Sequence, residues 1–260
     1  MSLPPLFTRA ILRTPCREMV HGLTTANLGT PDYALALKQH AAYAQALSLL
    51  GLELTVLPPD SKHPDSCFVE DVALCTPHGA VVTRPGAESR RNEIAGIREV
   101  LIQTGYDGRI AEITAPGTLE AGDIMMVGGN YLVGASNRSN RAGFDQLDKI
   151  LRGWGLSSEF VEMEGALHLK TIATYLEHGN LLVAETHAHL PEFKGFRHIL
   201  VPQAEGFAAN AIYVNGKVVT ASGHPRTQSA LQAAGYETIA LDMSEFQKLD
   251  GGLSCLSLRF

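Results

Sequence analysis

The chain has 260 residues, of which 45% are hydrophobic, so it holds enough apolar material for a sizeable core. Charged residues make up 18%, the net charge is −6, and neither Lys nor Arg forms a run, which argues against nucleic acid and membrane surfaces as partners. The four cysteines have no CxxC spacing and no dense arrangement, which indicates free thiols rather than a disulfide framework.

Two features bear on where the protein resides. Residues 1–9 carry Pro4 and Pro5 and lack the basic patch followed by an apolar stretch that a signal peptide requires. Residues 41–57 are rich in apolar side chains, but Gln45 and Glu53 interrupt them, so this stretch cannot span a bilayer. We therefore expect a soluble, cytoplasmic protein.

Helical periodicity recurs along the chain. It predicts helices over residues 31–50, 88–103, 141–152 and 226–234. The first helix is predicted to have Thr30 as its N-cap and Pro31 at its first helical position, and Gly51 follows its end. A glycine also lies shortly after each of the other three stretches, as expected at helix ends.

Pairs of apolar runs joined by short polar turns predict four β-hairpins. They cover residues 72–82, 124–133, 171–184 and 211–221. Each turn contains Gly, often beside Asn, and these residues tolerate the positive φ angles that tight hairpin turns need. Further strands are predicted over residues 53–57 and 237–241.

Residues with polar or reactive side chains stand just before each predicted hairpin. In chain order they are Glu70-Asp71, Glu120 with Asp123, His168 and Asn210, and Cys255 marks a possible fifth start. Successive starts are about 40 to 50 residues apart, a spacing typical of propeller-like repeats. The pattern predicts an α/β fold, a five-bladed α/β propeller with repeats of hairpin, helix and strand around a central active site, in a single domain over residues 1–260.

A thiol and an imidazole are the candidate reactive groups. If Leu256 faces the core in a final strand, alternation puts Cys255 on the opposite, polar side. The same alternation over residues 166–170 sends His168 away from its two Leu neighbours. Such a pair suits nucleophilic attack with proton transfer, although a lone Cys is more often an inert buried residue and a lone His more often structural.

The acidic residues at the hairpin starts leave two readings open. Glu70-Asp71, Glu120 and Asp123 adjoin apolar strands, where unpaired carboxylates are costly to bury, so they predict either an internal Arg or Lys partner or a cationic ligand. His187 and His189 have no third ligand at motif spacing, so no metal is expected. No phosphate-binding glycine motif occurs, and we expect no nucleotide and no cofactor.

Seven short motifs are distributed in order along nearly the whole chain. They are Gly22-Leu23-Thr24-Thr25, Phe68-Val69-Glu70-Asp71, Thr83-Arg84-Pro85-Gly86 with Ser89-Arg90-Arg91, Leu119-Glu120-Ala121-Gly122-Asp123, Ser136-Asn137-Arg138, Leu167-His168-Leu169-Lys170 and Leu253-Ser254-Cys255. Each motif is weak alone, but together they are specific. This set resembles the dimethylarginine dimethylaminohydrolase family of the amidinotransferase, or pentein, superfamily of five-bladed α/β propellers.

The resemblance implies roles for the reactive residues. It implies that Cys255 is the nucleophile and His168 the general acid and base. Glu120 would be the carboxylate that helps to hold the substrate guanidinium beside Asp71, and Glu70 would support the site.

The resemblance also implies how the amino-acid end of the substrate is bound. Arg90 and Arg138 would bind the substrate carboxylate, a bidentate task that suits Arg better than Lys. Asp65, the Leu23 main chain and the Leu249 main chain would meet the α-amino group.

The reaction implied is hydrolysis of free N-ω-methylated arginine to citrulline and dimethylamine or methylamine, through a covalent thiouronium on the cysteine. Within the superfamily, arginine deimination and citrulline hydrolysis are the alternatives, although arginine deiminases usually carry a helical insertion for which this chain has no room. A non-catalytic propeller that binds methylated arginine is a further alternative. We expect a monomer or homodimer with a small-molecule substrate as its partner.

Overall fold

The computed structural model describes residues 7–260. The prediction about a signal peptide falls largely on residues 1–6, which lie outside the described residues. The chain divides into two compact units, one made of the described residues up to Phe68 together with Ile172–Phe260, and the other of Val69–Thr171. The single domain over residues 1–260 stays a prediction.

The first unit contains three sheets of three strands. Its strands are β1 (Arg9–Arg13), β2 (Glu53–Leu57), β9 (Ala173–Tyr175), β10 (Asn180–Ala184), β11 (Arg197–Val201), β12 (Ile212–Val214), β13 (Lys217–Ala221), β14 (Glu237–Leu241) and β15 (Leu258–Arg259). The sheet orders are β15-β1-β2, β9-β10-β11 and β12-β13-β14. The last strand of the chain therefore completes the sheet that the first strand begins.

The second unit contains two further sheets of the same kind. Its strands are β3 (Ala73–Cys75), β4 (Ala80–Val82), β5 (Ile110–Glu112), β6 (Ile124–Val127), β7 (Asn130–Ala135) and β8 (Ser157–Glu162), in the orders β3-β4-β5 and β6-β7-β8. In every sheet of both units the middle strand has an antiparallel partner on one side and a parallel partner on the other.

The α-helices are α1 (Tyr33–Leu49), α2 (Ile97–Leu101), α3 (Arg141–Gly153), α4 (Leu169–Ile172), α5 (Pro225–Ala233) and α6 (Ser244–Gln247). α1, α2, α3 and α5 each lie between the middle strand of a sheet and its parallel neighbour, because a parallel connection has to cross over. In the β10–β11 connection a single short helix, Pro191–Phe193, takes that place. The predicted α/β fold of five hairpin, helix and strand repeats is confirmed.

The hairpins form where the turn residues predict them. In the β12–β13 turn, Asn215 and Gly216 both have positive φ, 47° and 97°, as a tight turn demands. The predicted strands over residues 53–57 and 237–241 match β2 and β14 to the residue.

Two predictions about helices are wrong. The N-cap of α1 is Asp32 rather than Thr30, because the Asp32 side chain accepts hydrogen bonds from the backbone N–H groups of Ala34 and Leu35. The predicted helix over residues 88–103 is broken, since Gly96 adopts a left-handed conformation with φ 79°. No helix among residues 7–260 is long and apolar enough to cross a membrane.

The strands predicted at Cys255 and His168 are also wrong. Cys255 lies in a short 3₁₀ turn, Ser254–Leu256, that precedes β15. His168 lies in a bend directly before α4. Leu167 and Leu169 flank His168, and Leu256 and Leu258 follow Cys255. This spacing resembles the alternation of a strand, although the backbone is turning.

Each unit has its own apolar core. In the first unit, α1 contributes Tyr43 and Leu47 to a buried cluster that also contains Leu12, Phe246 and Leu256. The second unit packs α3 on the β6-β7-β8 sheet through a separate cluster that includes Tyr131, Leu119, Leu147 and Phe144. These cores hold the strand ends from which the candidate site residues project.

Candidate active site

The predicted site residues fall into two groups, one in each unit. The second unit holds Glu70, Asp71, Arg90, Glu120, Arg138 and His168. The first unit holds Leu23, Asp65, Leu249 and Cys255.

Glu120 and His168 form a buried pair in the second unit. His168 Nε2 lies 2.8 Å from Glu120 Oε2, and the Glu120 side chain is completely buried. The other carboxylate oxygen, Oε1, accepts hydrogen bonds from the backbone N–H groups of Gly86 and Ala87 at 3.1 and 3.3 Å. The loop after β4 therefore fixes the carboxylate that orients the imidazole.

Asp71 is the third member of this cluster, with a carboxylate oxygen within 4.8 Å of Glu120 and His168 ligand atoms. Its Oδ1 accepts a hydrogen bond from the Gly122 N–H at 2.9 Å, and its Oδ2 accepts one from Arg90 Nη1 at 2.6 Å. A Cβ on Gly122 would lie 2.7 Å from His168 Nδ1 and 2.8 Å from Asp71 Oδ1. Only glycine at this position lets the backbone approach both groups so closely.

The two predicted carboxylate-binding arginines have different surroundings. Arg90 is buried and pairs with Glu93 through Nε and Nη2 as well as with Asp71. Arg138 is partly exposed, and its Nη1 lies 3.7 Å from Glu120 Oε1. Their binding of a substrate carboxylate stays a prediction. Of the two readings left open for the acidic residues, an internal Arg partner is present for Asp71.

Asp123 is a buried residue that the sequence placed before a hairpin but to which no role was assigned. Its Oδ2 accepts hydrogen bonds from the hydroxyls of Ser136 and Ser139, both at 2.6 Å, and its Oδ1 accepts one from the Leu169 N–H at 3.0 Å. Ser139 Oγ also accepts the Glu120 N–H at 3.1 Å. Asp123 thereby links the backbone that carries Glu120 to the backbone that carries His168.

The imidazole is held in its protonated form. Burial, the largest single influence, lowers the pKa of His168. The negative charges of Asp71, Asp123 and Glu120 together outweigh burial and raise the pKa of this histidine to about 9. In return, the charges of His168 and Arg90 and the hydrogen bonds to Asp71 outweigh the effect of its burial and lower the pKa of that carboxyl. At neutral pH the cluster therefore contains an imidazolium.

Asp71, Glu120 and His168 bring one ligand atom each within 4.8 Å of one another, a composition that some metal sites share. A protonated imidazole, however, has no lone pair for a metal, and Asp71 already accepts hydrogen bonds from Gly122 and Arg90. This geometry favours proton transfer over metal binding.

Glu70 precedes Asp71 in the same short helix, Val69–Val72, and is also buried. Its Oε1 lies 2.6 Å from Lys170 Nζ, two residues after His168. Because the ion pair joins the residues beside Asp71 to the residues beside His168, it helps to hold the two segments in register. Lys170 could be found from sequence only through its place in the Leu-His-Leu-Lys motif.

Cys255 is a buried thiol in the first unit. It follows two glycines, and the Gly252 N–H donates a hydrogen bond to its Sγ at 3.4 Å. The turn is held by Asn210, which accepts from the Ser254 N–H at 2.9 Å and donates to Ser254 Oγ at 3.0 Å. A Cβ on Gly252 would lie 2.4 Å from the Asn210 side chain, so this glycine allows the turn to form.

Leu23, Asp65 and Leu249 lie together in the first unit. Asp65 Oδ1 accepts the Leu23 N–H at 2.9 Å. A Cβ on Gly22 would lie 2.7 Å from Asp65 Oδ1 and 3.4 Å from Leu249 Cδ1. The structure therefore brings together the three residues predicted to meet an α-amino group.

The second-unit cluster is suited to a flat cation and to proton donation. Its buried carboxylates, Asp71, Glu93, Glu120 and Asp123, outnumber its buried cations, Arg90 and the His168 imidazolium. Such a surplus of negative charge favours a guanidinium or amidinium ligand. With a buried cysteine in the first unit and five repeats of hairpin, helix and strand, these features define the class of cysteine-dependent enzymes that act on guanidino groups.

Comparisons with known proteins agree with this class, although no protein-family model matches the chain. The chain is 51% identical over 255 residues to N(G),N(G)-dimethylarginine dimethylaminohydrolase of Pseudomonas aeruginosa, covering 98% of this chain and all of the relative. A solved structure of the Pseudomonas aeruginosa enzyme, a cysteine-to-serine mutant complexed with citrulline, has a TM-score of 0.96 at 50% identity and covers 98% and 99% of the two chains. A dimethylarginine dimethylaminohydrolase with a histidine-to-glycine change, solved as an adduct with S-methyl-L-thiocitrulline, has the same TM-score and identity and covers 98% and 100%.

The chain belongs to the dimethylarginine dimethylaminohydrolase family. The family predicted from the seven motifs is confirmed, and so is the predicted enzyme class, a hydrolase that acts on the C–N bonds of linear amidines. The predicted fold class is confirmed a second time by the superposition. Arginine deimination, citrulline hydrolysis and a purely binding role are not favoured.

Proposed function

We propose that the chain hydrolyses free N-ω-methylated arginine to citrulline and dimethylamine or methylamine. The identity to an enzyme of this name over the full chain is the observation that carries the proposal. The imidazolium beside buried carboxylates supports it, because the departing amine needs a proton and the substrate is a planar cation.

The first half of the reaction forms a covalent intermediate on Cys255. The thiolate attacks the guanidinium carbon and forms a C–S bond, and the C–N bond to the methylated nitrogen breaks. His168 gives its proton to the departing amine. The products are the amine, a neutral imidazole and a positively charged thiouronium on Cys255.

The second half returns the enzyme to its starting state. Water attacks the thiouronium carbon, and neutral His168 takes a proton from that water. The C–S bond then breaks and releases the Cys255 thiolate together with citrulline. The second proton of that water passes to solvent as the citrulline carbonyl forms, and the amine released in the first half takes up one proton from solvent. One cationic substrate and one water thus become citrulline and an alkylammonium ion.

Substrate binding uses the other predicted residues. Asp71, Glu120 and Glu70 provide negative charge for the guanidinium, as the acidic surplus of the second unit supports. Arg138 and Arg90 bind the substrate carboxylate.

The α-amino group is bound by Asp65 and by the main chains of Leu23 and Leu249. Support for this comes from the hydrogen bond of the Leu23 N–H to Asp65 and from the closeness of Asp65 and Leu249 to the neighbouring Gly22 in the first unit.

We propose that the chain acts as a single catalytic domain over residues 1–260, as a monomer or homodimer in the cytoplasm. The location is supported by the four cysteines, none of which is in a disulfide, since a reducing compartment keeps thiols reduced.

Product analysis tests the function. The protein is incubated with asymmetric dimethylarginine, and citrulline and dimethylamine are measured by mass spectrometry. Cys255→Ser abolishes both products, whereas Cys16→Ser, a change at another buried thiol of the first unit, leaves them unchanged. Equal turnover by the Cys255→Ser protein would overturn the assignment of the nucleophile, and no citrulline from the unmodified protein would overturn the function.

A further inference from the structure

The segment 248–250 is hydrogen-bonded to the loop 22–26, and both belong to the first unit. Thr24 Oγ1 donates to the Lys248 carbonyl at 2.8 Å. Asp250 Oδ2 accepts from the Thr25 N–H at 2.5 Å and from Thr25 Oγ1 at 2.9 Å. It also lies 3.4 Å from Thr24 Oγ1. One carboxylate thus holds two successive loop residues.

The backbone of Asp250 indicates that this position is held in place. Asp250 has φ 57°, in the left-handed region that non-glycine residues seldom adopt. Asp and Asn are among the residues that tolerate this region. In this conformation, directly before Gly251 and Gly252, the side chain reaches back to the loop.

These bonds decide where the Leu23 main chain lies. Residue Leu23 is 40% exposed, so apolar packing does little to fix the position of its main chain. Its N–H is held by Asp65, and the two residues that follow it are held by Asp250. Leu249, the other main-chain group assigned to the α-amino group, directly precedes Asp250. A single side chain therefore supports both main-chain groups.

We propose that Asp250 is a positioning residue that fixes the Leu23 and Leu249 main chains for recognition of the substrate α-amino group. The inference rests on the proposed function and assigns part of its specificity for free amino acids. Asp250 itself does not touch the reacting atoms. Its effect is therefore expected on substrate binding, and only for ligands that carry the amino group.

Two variants separate the carboxylate from the backbone. Asp250→Gly removes the side chain at a positive φ that glycine adopts without strain. Asp250→Asn tolerates the same φ and keeps one oxygen acceptor, so it is the conservative change. Asp242→Asn is the control, because Asp242 is an exposed acid of the same unit that accepts a local hydrogen bond from the Ser244 N–H.

The first measurement is steady-state kinetics with asymmetric dimethylarginine and competition by its analogue without the α-amino group, 5-(N′,N′-dimethylguanidino)pentanoate. We expect Asp250→Gly to raise KM by about tenfold, which corresponds to ~1.4 kcal/mol, with kcat within about twofold. Asp250→Asn recovers most of the loss, and Asp242→Asn has no effect. The inhibition constant of the analogue stays within about twofold in all variants. An equal loss for substrate and analogue, or an unchanged KM, would overturn the proposal.

The second measurement is amide hydrogen exchange of residues 23–26, which does not depend on turnover. Asp250→Gly should speed exchange at Thr25 by at least about tenfold relative to Asp242→Asn. Faster exchange in a protein that produces no citrulline would place the failure in the proposed function and keep the positioning role of Asp250. Unchanged exchange would refute that role whatever the activity.

Discussion

At the scale of single residues, the protonated state of His168 is the feature with the clearest consequences. The ordinary pKa of a histidine side chain is 6.5, and in the folded protein the pKa of His168 is raised to about 9. Between these two pH values the folded state holds a proton that the unfolded chain has released. The stabilisation is therefore complete below pH 6.5 and is lost as the pH rises through 9.

We predict that the free energy of unfolding falls between pH 6.5 and 9 by about 1 to 3 kcal/mol, because one pKa unit corresponds to ~1.4 kcal/mol. Denaturant unfolding at a series of pH values measures the fall. His168→Gln is the matched variant, since its amide keeps a donor for Glu120 and does not titrate. If the variant loses stability over this range as steeply as the unmodified protein, another group is responsible.

The sequence predicted which side chains meet where polar residues stand at the boundaries of the repeats. The regular spacing of Asp71, Glu120 and His168 predicted that they meet, and the structure brings these three together. The pairing of Arg90 with Asp71 and Glu93 could not be predicted. Which of several nearby carboxylates a long side chain reaches depends on loop geometry, which local sequence does not encode.

At the scale of elements, the turn before β6 is set by the close approach of its backbone to the site. Gly122 occupies a position where a Cβ would lie 2.7 to 2.8 Å from atoms of His168 and Asp71. Neither neighbour can move without leaving its hydrogen bonds to Glu120 and Arg90. Glycine is required here because a Cβ would clash, and not because of backbone conformation, since the φ of Gly122 is not positive.

We predict that Gly122→Ala lowers kcat/KM for asymmetric dimethylarginine by at least about 100-fold, since displacement of a catalytic group by about 1 Å has effects of that size. Steady-state kinetics measures the loss, with circular dichroism to check the fold. Gly129→Ala is the control in the next turn of the same unit, where a Cβ meets nothing within 4 Å. Equal activity of the two variants would contradict the steric argument.

The N-terminus of α1 gives a test of helix capping. Asp32 Oδ1 accepts the N–H groups of Ala34 and Leu35 at 2.8 and 3.1 Å. We predict that Asp32→Ala lowers the free energy of unfolding by about 1 kcal/mol, the usual effect of losing such a cap, while Thr30→Ala changes it little. Thermal and urea unfolding of the two variants decide between the caps. A larger loss for Thr30→Ala would restore the N-cap predicted from sequence.

Element boundaries were predictable where a glycine or an Asn-Gly pair determines the turn, as at Asn215-Gly216. They were not predictable where two features compete. Thr30 and Asp32 are both good N-cap residues on either side of Pro31, and tertiary contacts such as the bond from the Asp32 N–H to Glu245 select the second. In the same way, the Leu residues around Cys255 and His168 produce strand-like alternation in turning segments.

At the scale of the whole chain, five repeats use the two ends of the sequence to complete one sheet. β15 pairs with β1, the Phe260 carbonyl accepts the N–H groups of Thr8 and Arg9, and the Phe260 N–H donates to the Arg9 carbonyl. The fivefold repetition was predictable from the spacing of hairpin starts. The pairing of first and last strands was not, because the two runs are short and lie far apart in the sequence.

We predict that deletion of residues 258–260 lowers the free energy of unfolding by about 3 to 7.5 kcal/mol. Leu258 is 4% exposed, and burial of a Leu side chain contributes about 1.5 to 3 kcal/mol. The three hydrogen bonds between Phe260 and β1 add about 0.5 to 1.5 kcal/mol each. Replacement of residues 258–260 by three alanines keeps the main-chain hydrogen bonds but lacks the Leu258 side chain. The stability of this variant should therefore lie between those of the full chain and the deletion. Urea unfolding of all three proteins measures the order of their stabilities, and a deletion as stable as the full chain would show that pairing of β15 with β1 contributes nothing.

Because Cys255 lies only three residues before β15, we also expect the deletion to lower citrulline production beyond the loss of folded protein, whereas the alanine replacement should retain most of the citrulline production.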